Sequence, residues 1–95
     1  MKVTGEFLGA NILAVSVETN TPKGGDGGHG GLTIVSFKDL AGTGWDLFVD
    51  DKKIEQPHEI TIHLYGDSEA QTIADALIFA GETLKQRMKI NALAS

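Results

Sequence analysis

The chain has 95 residues, a hydrophobic fraction of 41% and no cysteine. That composition describes one globular domain without disulfides or thiolate metal sites, suited to a reducing compartment. Thirteen acidic residues against 8 basic ones leave a formal charge of −5, which disfavours non-specific binding to DNA, RNA or an anionic membrane.

The longest apolar run, 11–17, is far too short to span a bilayer. No basic start leads into a signal-peptide core. A cytoplasmic protein with no membrane contact and no nucleic-acid partner is expected.

Residues 3–8 read as a first strand, closed by the turn Gly9-Ala10-Asn11. A second strand follows over 12–17, with Leu13, Val15 and Val17 alternating on one face. Residues 18–31 form a long loop, opened by the turn-forming Thr19, Asn20, Thr21 and Pro22. The third strand, 32–38, puts Thr33, Val35 and Phe37 on one face and Leu32 and Ile34 on the other. A glycine-bearing turn at 39–44 precedes a fourth strand at 45–49. Asp50, Asp51, Lys52 and Lys53 then suit a hairpin turn into a short strand at 54–56. Pro57 marks an edge or a bulge. In the last strand, 58–65, Ile60, Ile62 and Leu64 face inward, with Glu59, Thr61, His63 and Tyr65 outward.

The spacing of Ala70, Ile73, Ala74, Leu77, Gly81, Leu84 and Met88 predicts an amphipathic helix over 68–89. Ser68 with Gln71 has the form of a capping box. Asp67 and Glu69 suit the positive helix N-terminus, and Lys85, Arg87 and Lys89 suit its last turns. Residues 90–95 read as a frayed tail. The whole is a single α+β domain, 1–95. It is expected to form an antiparallel sheet of five or six strands, with one C-terminal amphipathic helix packed on one face.

Six of the eight residues from Gly24 to Gly31 are glycine. Ordering such a run has a high entropic cost. Ordered, it can bring successive backbone N–H groups to an anion. The candidate ligand-binding residues are Lys23, Gly24, Gly25, Asp26, Gly27, Gly28 and His29, with Thr43 and Trp45 across one pocket. No Gly-Lys-Ser/Thr ends the run, and a strand rather than a helix follows it, so it is neither a Walker loop nor a dinucleotide fingerprint. Two other readings stand beside this one. The run is a solvated hairpin tip, or it orders against a protein partner.

A zinc site needs three or four converging ligands; Asp26 and His29 lie three apart, and His58 and His63, an odd number apart on one strand, face opposite sides, so surface histidines are expected rather than a metal. No serine lies in a nucleophile elbow. The acidic pairs Asp50–Asp51 and Asp67–Glu69 are accounted for by a turn and a helix start. No catalytic residues and no cofactor are expected. An enzyme using His29 as base and Asp26 as its orienter is the third reading. Tyr65, Ile78 and Phe79 are large side chains off the apolar stripe, and they are candidates for a homo-oligomer interface.

In size, acidity, lack of cysteine and α+β build, the chain resembles small accessory proteins of phages and mobile elements. Some of those block immune complexes, and others sequester nucleotide messengers. No motif carries residues over from them. The expectation is a non-enzymatic, oligomeric binding protein that holds an anionic small molecule, such as a nucleotide, on its glycine loop. The alternative is an acidic inhibitor or adaptor that presents Asp46, Asp50, Asp51, Glu55 and Glu59 to a basic protein partner.

Overall fold

A computed structural model describes residues 2–21 and 30–94. Six strands, β1 (Lys2–Leu8), β2 (Ile12–Thr19), β3 (Leu32–Ala41), β4 (Asp46–Val49), β5 (Lys52–Glu55) and β6 (Glu59–Tyr65), precede one helix, α1 (Asp67–Ala94). The fold is α+β, as the sequence pattern predicts.

Four strands make the main sheet in the order β1-β2-β3-β6, antiparallel throughout. The remaining two, β4 and β5, do not join it. They pair only with each other, so the expected single sheet of five or six strands is divided. A tight turn joins β1 to β2, as antiparallel neighbours allow, whereas residues 20–31 lie between β2 and β3. The β4–β5 hairpin is an excursion between two strands that are themselves partners.

That hairpin closes on a two-residue turn. Val49 pairs with Lys52, and Asp50 and Asp51 both take positive φ, at 48° and 66°. Such a turn matches the right-handed twist of the flanking strands, and aspartate tolerates the left-handed region better than most residues.

Register puts the apolar alternation of each strand on one face. Val17, Val35 and Ile62 form one row, and Val15, Phe37 and Ile60 form the next. Val35, at 3% exposure, is the buried hydrophobic residue of the centre. The outer part of the same face is open, with Phe7 61% exposed.

The helix starts one residue earlier than expected, from Gly66. Gly66 sits at φ 117° and donates its N–H to the Gly31 carbonyl at 2.8 Å, while its own carbonyl accepts from Ala70 at 3.3 Å. The expected capping box does not form. Gln71 instead reaches forward one turn, donating to Asp75 Oδ1 at 3.1 Å. At the other end α1 runs on to Ala94, because nothing after Gly81 breaks a helix. Lys85, Arg87 and Lys89 therefore lie before its last turn rather than in it.

Only the first turns of α1 meet the sheet. Ala70 and Ile73 are half-buried there, whereas from Ala74 to Ala94 every residue except Thr83 is exposed. No helix among the described residues is long and apolar enough to cross a membrane.

Candidate functional site

Hydrogen bonds join the described residues on either side of 22–29. The Asn20 N–H donates to the Leu32 carbonyl at 3.3 Å, and the Leu32 N–H donates to Asn20 Oδ1 at 2.8 Å. One layer inward the hydroxyls of Thr19 and Thr33 share a hydrogen bond of 2.8 Å. The Thr21 N–H donates back to Thr19 Oγ1 at 3.0 Å. The Gly31–Gly66 bond then ties these residues to the start of α1. The end of β2, the start of β3 and the start of α1 thus converge here.

Between them lies an open cleft of about 370 Å³. Thr19, Thr21, Thr33, Asp67 and Gln71 supply the polar groups of its lining. Val17 and Val35 form the sheet wall, and Ala70, Ile73, Ala74 and Leu77 form the helix wall. The volume falls within the range of small-ligand sites, which are mostly apolar with a few fixed polar groups. Thr21 Oγ1 is buried, and among the described residues it finds no hydrogen-bond partner. A buried hydroxyl left unpaired has a cost, so this atom is available to a ligand group.

Of the residues expected to share one pocket, the structure describes Thr43 and Trp45. The predicted Lys23, Gly24, Gly25, Asp26, Gly27, Gly28 and His29 lie outside the described residues. Thr43 and Trp45 follow the far end of β3, whose ten residues span about 33 Å from the root of the run. Both already have structural work. The Thr43 N–H donates to Asp39 Oδ1 at 3.1 Å, and its hydroxyl accepts from Asn11 Nδ2 at 3.0 Å. The Thr43 N–H, and after it the Thr43 hydroxyl, hold the Asp39 carboxyl below its ordinary value. Partial burial opposes the shift, and the Ala41 N–H and the charge of His58 add to it. Trp45 is half-buried and donates Nε1–H to the Pro57 carbonyl at 2.7 Å. It thereby pins the start of the β4–β5 hairpin to its end.

Tyr65, Ile78 and Phe79 are all exposed, at 68%, 58% and 70%. The acidic residues Asp46, Asp50, Asp51 and Glu55 gather in one hairpin. Lys52 and Lys53 share it, and Lys53 Nζ lies 3.6 Å from Asp46 and 3.9 Å from Glu55. Among the described residues no three His, Cys, Asp or Glu side chains converge as a metal site would require.

Sequence reasoning missed the cleft itself. One signal for it was present. Thr19 and Thr33 lie on either side of the glycine run, each two residues from a valine of the same face (Val17 and Val35), so pairing across the run places both hydroxyls together.

Comparison with protein-family models, with curated proteins and with solved structures finds no match.

Proposed function

We propose that the protein is a non-enzymatic binding protein for an anionic small molecule that also has an uncharged ring or sugar, a nucleotide being the simplest case. The observation that carries this reading is the threonine-lined cleft at the root of the glycine run. Its walls are apolar and its threonines are hydroxylic, which suits a base and a ribose. Asp67 in its lining disfavours an anion inside the cleft itself. The phosphate is therefore assigned to the glycine run and Lys23, the anion-binding candidates of the sequence. The acidic-adaptor alternative is less well supported, because Lys53 offsets two of the acids it relies on.

The test is thermal stabilisation across a panel of mononucleotides, with nucleosides and inorganic phosphate as partial ligands. A ligand at 100 times its Kd stabilises the native state by about 2.7 kcal/mol, which is easily read in a domain of this size. Ala74→Trp, on the helix wall, fills the cleft and should abolish the shift. A panel that gives no shift, or a shift that survives Ala74→Trp unchanged, would reject this reading.

A further inference from the structure

The isolated chain leaves too much of itself uncovered for its size. It exposes 7213 Å², whereas a compact monomer of 10.1 kDa exposes about 5,300 Å². Its radius of gyration is 15.8 Å, against about 12 Å for a compact chain of this length. The surplus of about 1,900 Å² matches what one copy buries in an obligate dimer, roughly 1,000–2,500 Å² per copy.

From Ala74 to Ala94 every residue of the helix except Thr83 is exposed, and its sequence specifies an occupant. Ala70, Ala74, Leu77, Gly81, Leu84 and Met88 alternate at spacings of four and three, the period of a coiled-coil seam. Leu84 is 60% exposed and Met88 54%. Large and small residues are distributed unevenly along this seam. In a parallel pair each layer would set a residue against itself, leaving Gly81 opposite Gly81 with a void. In an antiparallel pair, Leu77 meets the partner's Gly81, Leu84 meets the partner's Ala74, and Met88 meets the partner's Ala70. Every layer then joins one large residue to one small one, the arrangement close packing favours.

Charge follows the same polarity. The acids of α1 are Asp67, Glu69, Asp75 and Glu82, and its bases are Lys85, Arg87 and Lys89. No base precedes residue 85, and no acid follows residue 82. Antiparallel pairing sets the acidic half of each helix beside the basic half of the other, with the helix dipoles opposed.

We propose that α1 is the interface of a two-fold homodimer, pairing antiparallel with α1 of a second copy along this seam. The contact is isologous, so one surface serves both subunits. It has a consequence for the cleft, which rests on the ligand reading above. The seam shares Ala70, Ala74 and Leu77 with the helix wall of the cleft, so the partner helix and a ligand compete for that face.

Because the chain has no cysteine, single thiols test the geometry cleanly and without ligand. Ala74→Cys and Leu84→Cys are made separately and oxidised both alone and mixed. The antiparallel seam predicts a disulfide between the two variants in the mixture and none in either alone. Identical positions then lie about 15 Å apart along the helices, beyond disulfide reach. Disulfides in each variant alone would establish parallel pairing and overturn the proposal. Sedimentation of the unmodified chain guards against a folding defect in either variant. The expected mass is twice 10.1 kDa. A chain that sediments at the monomer mass at every concentration, including one that then captures an unrelated protein, also overturns it.

Discussion

Gly31 and Asp67 are packed so closely that a Cβ on Gly31 would lie 2.5 Å from Asp67 Oδ1, and 2.6 Å from Thr21 Oγ1 on the other side. The last residue of the glycine run is therefore a packing residue. It is buried, and its carbonyl receives the first hydrogen bond that fixes the helix start. Gly31→Ala should destabilise the fold by about 1–3 kcal/mol, the usual cost of overpacking. Gly30→Ala, at an exposed neighbour, should cost less. Urea denaturation of both variants followed by circular dichroism checks this, and equal midpoints would show that Gly31 is not confined.

Trp45 and Pro57 hold the two ends of the β4–β5 hairpin together through a single hydrogen bond. Trp45→Phe keeps most of the apolar contact and removes the donor. The expected loss is about 0.5–1.5 kcal/mol, read by circular dichroism because the variant has no tryptophan to report fluorescence. Wild-type stability in Trp45→Phe would mean that water replaces the bond without cost.

Asp50 and Asp51 are both held at positive φ, where an L-residue pays roughly 1–2 kcal/mol and glycine pays little. Asp51→Gly should raise stability, by up to about 1 kcal/mol once the added freedom of the unfolded chain is counted. A differential scanning calorimetry trace with a lower Tm for Asp51→Gly would contradict the turn geometry.

Asp39 accepts the Thr43 N–H, and its carboxyl is held below its ordinary value of 3.8. A depressed folded-state pKa stabilises the native state above the unfolded pKa, and that contribution is lost as pH falls through the folded value. Wild type should therefore lose this contribution on acidification below about pH 4. Asp39→Asn should lack that part of the acid dependence while changing little between pH 5 and 8. Superimposable acid-unfolding curves for the two proteins would show that the bond does not carry the shift.

Much of the fold is legible in the residues. The alternation of Leu13, Val15 and Val17, of Thr33, Val35 and Phe37, and of Ile60, Ile62 and Leu64 is the apolar face that the sheet presents. The hairpin at Asp50–Asp51 is legible because turn chemistry is local. So is the 3.6-residue stripe of α1, though not what covers it. A periodic stripe specifies that a face is apolar, and only tertiary placement specifies whether this chain's sheet or another chain lies against it.

Patterning along the chain determined the antiparallel strands, the helix and their apolar faces, because periodicity and turn propensity act over a few residues. Tertiary structure decided that β6 rather than β4 takes the place beside β3, because strand choice depends on contacts far apart in sequence. It also decided that Trp45 and the root of the glycine run stand at opposite ends of one long strand. Convergence of distant segments likewise set the threonine-lined cleft beside Gly31 and Asp67, where two strand ends meet a helix start.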